Sequence, residues 1–240
     1  MTVTRMVAVV LGGGVGTRFG AALPKQLLTL AGKTLVEHCV GAFAEAPGID
    51  ETVLVMPSAY QEEASRIVGG QVSVIEGGAT RSDSVRNALA YLAARYPEAE
   101  TGVLLHDAAR PLVTQQIIAD CAAALEKHDA IGTAVPTSDT ILVVADGVIA
   151  GVPPRETLYR AQTPQGFRLE TIVRAHALAA ADPAFAPTDD CVVVLRYLPD
   201  VPVHIVQGSE RNIKVTYPSD LPIAEALLAD AADPRTGRPT

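Results

Sequence analysis

The apolar run MVAVVL at residues 6–11 passes without a break into GGGVGTR at 12–18. A short continuous apolar stretch that stops at glycines reads as a strand buried on both faces, the kind found in parallel sheets covered by helices. The glycines allow the chain to turn sharply and let its amides approach an anion closely. The spacing is not that of G-x-x-x-x-G-K-[ST], because Arg18 stands late and Lys25 follows only after Leu23-Pro24. It is not a full G-x-G-x-x-G either, since the register fails at Phe19-Gly20. The opening therefore predicts a strand followed by a phosphate cradle at Gly12, Gly13, Gly14 and Gly16, with Arg18 and Lys25 as its cations.

The same rhythm continues. Leu35–Phe43 has apolar positions on one helical face, ETVLVM (51–56) and VSVI (72–75) read as strands, and Ser58 with Gln61 suggests a capping box. GGATRSDSV turns into a helical pattern that runs through NALAYLAARY. GVLL before HDAARP is another buried strand, ADCAAALEKH a return helix and AIGTAVP a further strand. This alternation predicts an α/β fold, a mainly parallel sheet with helices on both faces and ligands at the carboxyl ends of its strands.

TILVVADGVIAG at 140–151 breaks the rhythm, and Asp146-Gly147 between two apolar stretches predicts a β-hairpin protruding as an arm. FRLETIVRAHALAAA then reads as helix, VPVHIV as strand, RNIKVT as a last strand and PSDLPIAEALLADA as the final helix. The expected organisation is one domain over 1–232, including an arm at 136–163, and a mobile tail at 233–240.

Composition narrows the function. The chain has 240 residues and a formal charge of -8, from 19 Lys plus Arg against 27 Asp plus Glu. That balance disfavours wrapping by nucleic acid but permits a small polyanion in a locally positive cleft. Three cysteines at wide spacing suggest reduced thiols rather than a disulfide framework or zinc site, and His176 and His204 lack paired ligand spacing. No run suits a membrane span or secretory signal, so the reading is a cytoplasmic protein with no membrane partner.

Chemistry concentrates at a few places. In His106-Asp107-Ala108-Ala109-Arg110-Pro111, the small alanines permit close approach, Asp107 can accept from hydroxyls and Arg110 can clasp an anion, with His106 as a structural handle. Thr140, Arg155, Thr163 and Lys214 are candidates for phosphate or hydroxyl contacts that strand ends and the arm can bring together. Tyr91, Tyr96 and the cysteines read as packing residues.

Taken in order, LGGGVGTR, LPKQ, GGATRSDSV, HDAARP, SDTI, QTPQGF, TDD and NIKVT followed by SDL resemble the 2-C-methyl-D-erythritol 4-phosphate cytidylyltransferase family over about residues 5–230. The chain departs from the family pattern at Leu11–Gly14, where P-A-A-G is common, and at Ala79, where an acidic residue is common. The resemblance implies a Rossmann-like nucleotide-diphospho-sugar-transferase fold and a homodimer that exchanges its arms. It further implies Mg2+-dependent transfer from CTP, with the ion held mainly by nucleotide phosphates and water rather than by a protein metal site.

By the same resemblance, Gly12, Gly13, Gly14 and Gly16 hold CTP, Gly78 and Ser84 recognise cytosine, and Ala108 faces the nucleotide. Arg18, Lys25 and Lys214 act on the reacting phosphates. Asp107, Arg110, Thr140, Arg155 and Thr163 take the polyol phosphate acceptor, Arg155 and Thr163 through the neighbouring subunit's arm. Two alternatives stay open: a D-ribitol 5-phosphate cytidylyltransferase making CDP-ribitol, and a non-catalytic CTP-binding regulatory protein.

Overall fold

The computed structural model describes residues 2–13, 24–70, 72–182 and 184–232. Gly14, Gly16, Arg18 and the tail at 233–240 lie outside the described residues. The elements are β1 (Arg5–Leu11), β2 (Thr29–Leu30), β3 (Lys33–Thr34), α1 (Leu35–Ala44), β4 (Glu51–Met56), α2 (Gln61–Ile67), β5 (Ser73–Glu76), α3 (Arg81–Ala93) and β6 (Thr101–Asp107). They continue with α4 (Gln115–Leu125), β7 (Ala130–Pro136), β8 (Val143–Ala145), β9 (Val148–Gly151), β10 (Tyr159–Arg168), α5 (Leu169–Ala180), α6 (Asp190–Tyr197), β11 (His204–Gln207) and α7 (Asp220–Ala232).

Seven strands form one sheet in the order β11-β7-β10-β6-β1-β4-β5. All its pairings are parallel except those of β10, which runs antiparallel to both β6 and β7. Alternation along β1 divides the core. Met6, Ala8 and Val10 pack with Phe43 of α1 and Ile118 of α4, whereas Val7, Val9 and Leu11 pack with Leu92 of α3 and Ile172 of α5. Both faces of the strand are thus buried, which is why its sequence is continuously apolar.

The chain moves one way from β1 through β4 to β5 and the other way to β6, so the crevice at the ends of β1 and β6 is the switch point where open α/β sheets bind ligands. There Leu11 is in register with Asp107.

Three expectations are corrected. The Ser58/Gln61 capping box is absent, because Pro57 leads into a 3-10 turn over Ser58–Tyr60 with no side-chain cap. The capping boxes that form are Thr34 with Glu37 and Thr80 with Asp83. RNIKVT is not a strand: its apolar Ile213 and Val215 join a satellite cluster with Leu30, Leu35 and Ala224 instead. The segment between the FRLET helix and the arm is a central strand, so Tyr159–Thr163 belong to the sheet and the projecting part is 137–158, closed by the bond from Thr137 N to Leu158 O (3.0 Å). Within it, β8 and β9 pair around Asp146 (φ 49°) and Gly147 (φ 77°), two left-handed residues in the type I′ pattern of a hairpin.

Candidate active site

The larger cleft begins where β1 stops. Gly12 follows the strand with its N–H on Val55 O at 2.8 Å, and a Cβ there would meet that carbonyl at 2.9 Å and the Met56 sulfur at 2.3 Å. At Gly78, after β5, an added Cβ would sit 2.1 Å from Asp83 Cβ, so any side chain would push against the first turn of α3. Ser84, buried in that turn, donates to Thr80 O at 3.0 Å and accepts from Gly78 N at 3.1 Å. These contacts draw the loop after β5 and the start of α3 against the end of β1. Gly13 and Ser84 line a cleft of about 220 Å³ with Lys25, Gln26, Arg81, Asp107 and Lys214.

A second cleft of about 130 Å³ adjoins it, and among its lining residues are Arg110, Thr163, Thr188 and Asp189. Arg81, Asp107 and Lys214 line both clefts. Asp107 Oδ1 accepts from Arg81 Nε at 3.2 Å and Oδ2 from Lys214 Nζ at 2.6 Å. Burial alone would raise the Asp107 carboxyl, but these two cations outweigh it and hold it well below the usual carboxylate range.

Packing delivers the cations. Val215, fully buried, fixes the loop that carries Lys214, and its N–H donates to Ala109 O at 2.8 Å. Its carbonyl accepts from Lys25 Nζ at 3.0 Å, so one anchored residue brings Lys25 and Lys214 to the same wall. Arg110 is held by the carbonyls of Asn212 (2.8 Å) and Ala161 (3.1 Å).

His106 is the handle expected of it. Nε2 donates to Arg110 O at 3.0 Å, which leaves Nδ1 to accept from the Thr163 hydroxyl at 3.0 Å, while Thr163 Oγ1 accepts from Asp107 N at 3.1 Å. This line of bonds ties β6 to β10 at the smaller cleft, which Thr163 lines. Burial lowers the His106 pKa to about 4. The unfolded chain, with a histidine near 6.5, takes up the proton first, so this contribution is complete above pH 6.5 and lost as the pH falls towards 4. Asp107, whose folded pKa is depressed, loses its contribution only below its unfolded value near 4. Urea unfolding should therefore show a decline of about 3 kcal/mol from His106 between pH 6.5 and 4. In His106→Gln that part of the slope should vanish; an unaltered slope would refute the assignment.

The sequence-derived candidates separate into groups. Gly13, Lys25, Ser84, Asp107, Arg110, Thr163 and Lys214 line the paired clefts, with Gly12 and Gly78 shaping the backbone around them. Ala108, expected to face the nucleotide, is wholly buried in the core, in the turn that follows β6, and Ala109 lines the cleft instead. Thr163 sits in the chain's own central strand rather than on an arm. Thr140 and Arg155 are exposed on the projecting segment and line neither cleft, Arg155 donating to Ser138 O at 3.3 Å. Gly14, Gly16 and Arg18 lie outside the described residues.

Arg81, Asp190, Gln162 and Gln165 are the additions. Gln165 Oε1 accepts from Asp190 N (3.0 Å) and Cys191 N (3.2 Å) at the start of α6, and Gln162 braces the loop at Ser209, accepting from its N–H at 3.3 Å. The signal for all four was their place in GGATRSDSV, QTPQGF and TDD, motifs whose polar residues sit beside apolar runs.

Comparison with known proteins bears on the family and the fold. The family model for 2-C-methyl-D-erythritol 4-phosphate cytidylyltransferase matches residues 6–230. The enzyme of that name from Thermobifida fusca is 53% identical over 234 residues, covering 93% of each chain. The crystal structure of 4-diphosphocytidyl-2C-methyl-D-erythritol synthase from Anaerococcus prevotii superposes with a TM-score of 0.83 at 26% identity, covering 94% of this chain and 96% of that one. A bifunctional ribulose 5-phosphate reductase/CDP-ribitol pyrophosphorylase from Haemophilus influenzae is 39% identical over 95% of this chain, but only 49% of its own length is matched. The expected Rossmann-like nucleotidyltransferase fold is thus the observed one, and with the matched span running from β1 into α7, the chain belongs to the 2-C-methyl-D-erythritol 4-phosphate cytidylyltransferase family.

Proposed function

We infer that the chain transfers the cytidylyl group of CTP to 2-C-methyl-D-erythritol 4-phosphate, giving 4-diphosphocytidyl-2-C-methyl-D-erythritol and pyrophosphate in isoprenoid precursor biosynthesis. The observation that carries the division of labour is the wall of Arg81, Asp107 and Lys214 common to both clefts. CTP takes the larger cleft, with cytosine towards Gly78 and Ser84 and its phosphates towards Lys25 and Lys214. The acceptor takes the smaller one, against Asp107, Arg110 and Thr163.

An oxygen of the acceptor phosphate attacks the α-phosphorus. A new P–O bond forms, the α–β bridge breaks, and the electron pair leaves on pyrophosphate. A phosphomonoester has its second pKa near 6, so no general base is required at neutral pH. What the protein supplies is position and positive charge: Lys25 and Lys214, with Arg18 assigned to the same task, offset the repulsion between two polyanions. Asp107 orients acceptor hydroxyls.

Mg2+ enters this reading with CTP. Asp107 is committed to Arg81 and Lys214, Asp190 to Arg81 and His176, and among the described residues no group of three or more His, Cys, Asp or Glu could hold a metal ion. These residues do not fit a protein-held Mg2+, and the ion belongs to the nucleotide's phosphates and water.

A homodimer completes the reading, with Thr140 and Arg155 of one arm reaching the acceptor cleft of the neighbouring subunit. The exposed apolar arm supports it. The three cysteines are free, two buried and one partly so, which supports a reducing compartment, the cytoplasm. No described helix is long and apolar enough to cross a membrane.

The test supplies CTP and Mg2+ with methylerythritol phosphate, D-ribitol 5-phosphate or no acceptor, and follows both pyrophosphate and the cytidylyl product. Acceptor-dependent release, faster with methylerythritol phosphate, is expected. Faster turnover of ribitol phosphate would transfer the assignment to CDP-ribitol synthesis, and no acceptor-dependent release would leave a CTP-binding protein.

A further inference from the structure

Behind the shared wall lies a layer of polar groups that touches neither cleft. Asp190, at the start of α6, is 1% exposed. Its Oδ1 lies 3.0 Å from His176 Nε2 on α5 and its Oδ2 2.8 Å from Arg81 Nη1. Arg81 Nε in turn reaches Asp107, whose other oxygen takes Lys214. Charged and polar groups therefore run in one line, His176–Asp190–Arg81–Asp107–Lys214, from between two helices to the meeting point of the clefts. Thr188 and Asp189 line the acceptor-side cleft, whereas Asp190 is turned inward.

We propose that Asp190, steadied by His176, is a positioning residue for the acceptor: by holding one edge of the Arg81 guanidinium it fixes Asp107 and keeps an oxygen of that carboxylate open to Lys214 and the polyol. This rests on the reading above, in which the acceptor binds against Asp107.

The reasoning is geometric. A guanidinium is a rigid planar fork that binds one carboxylate best through two parallel bonds. Here the fork is divided, Nε to Asp107 and Nη1 to Asp190. Without the charge on Asp190, the fork turns onto Asp107 and claims the oxygen that now serves Lys214. Burial strengthens the hold, because a charge pair shielded from water attracts far more strongly than an exposed one. On the nucleotide side Lys25 is held by Val215 O and Ser84 by Thr80 O and Gly78 N, and Lys214, shared by both clefts, keeps its charge, so the effect falls mainly on the acceptor.

Steady-state kinetics on Asp190→Asn, His176→Leu, His176→Gln and Asp107→Asn test this, with thermal melts to establish the folded fraction of each. Asp190→Asn is expected to raise the KM for the polyol phosphate about tenfold, equivalent to ~1.4 kcal/mol of binding, with the KM for CTP changed less than about threefold. His176→Leu should move the same constant in the same direction, and His176→Gln, whose amide can still donate to Asp190, should restore it. The His176 pair carries the test if Asp190→Asn does not fold. Equal rises in both KM values overturn the proposal, as does an unchanged acceptor KM in Asp190→Asn alongside a raised one in Asp107→Asn. An unchanged acceptor KM in Asp107→Asn overturns the placement of the acceptor itself.

Discussion

Lys214→Ala should lower kcat by about 10²- to 10³-fold, the scale set by removing one group aimed at charge that develops in a transition state. The side chain is 44% exposed and reaches Asp107 through its ammonium group, so its loss leaves the buried packing untouched. The neighbouring Val215 stays in its apolar cluster and keeps its bonds to Ala109 and Lys25. Asp107, 13% exposed, keeps Arg81 as its partner, so stability should fall by about 1–3 kcal/mol, between the value of an exposed ion pair and the cost of breaking a buried one. Pyrophosphate release at saturating CTP and acceptor measures the first quantity, and a thermal melt the second. A fall in turnover of less than about threefold, or one proportional to lost folded protein, would remove Lys214 from the chemistry. Lys25→Ala should behave alike, since Lys25 is anchored on the Val215 carbonyl and lines the same cleft.

Much of this arrangement is legible in the sequence because local pattern and tertiary role coincide. The strand readings at 51–56 and 130–136 match β4 and β7 residue for residue, each bounded by prolines or charged residues and buried on both faces. Asp146-Gly147 marks its own turn, since few other pairs accept two positive φ angles in succession.

β10 is hidden for the opposite reason. YRAQTPQGFR has no apolar alternation, and Pro164 with Gly166 suggests a loop. It is a strand because β6 and β7 flank it on both sides, with a register shift between Ala161 and Gln165, across the stretch that holds Pro164. Its buried polar residues are admissible only because each has a partner elsewhere in the chain: Gln162 at Ser209, Thr163 at His106 and Asp107, Gln165 at Asp190. No local rule reports those partners. RNIKVT misleads in reverse, since Ile213 and Val215 alternate like a strand but serve to pin a loop.

The site divides along similar lines. Asp107, Arg110, Lys25 and Lys214 are visible as charged residues next to apolar strands or small residues. Ala108 and Ala109 are equally small, and only the turn after β6, closed by Arg110 N on Asp107 O, decides that the first is buried and the second lines the cleft. Arg81 and Asp190 each look like ordinary helix-start residues. Their importance comes from the approach of α3 to α6, which the spacing along the chain does not encode.

The arm carries the remaining large expectation. Ile141, Leu142, Val143, Val144, Val148, Ile149 and Val152 are all 43% exposed or more, an apolar concentration that a lone soluble chain rarely leaves in water. Arg155 shares the segment, so covering the arm with a second copy would also decide which cleft Arg155 serves. Arg155→Ala and Lys214→Ala chains, each nearly inactive alone, distinguish the possibilities when refolded together in equal amounts. If Arg155 acts across a two-fold dimer, random mixing makes half the dimers hybrid, and one of the two clefts in each hybrid combines an intact Lys214 with an intact Arg155. Activity should then recover to about one quarter of the parent. If Arg155 serves its own chain, no mixture contains a complete cleft and recovery is nil. Sedimentation of the same mixtures at assay concentration shows whether hybrids formed. Hybrids without recovered activity would place Arg155 in cis and end the exchanged-arm account, while a fully active parent that sediments as a monomer would end the dimer itself.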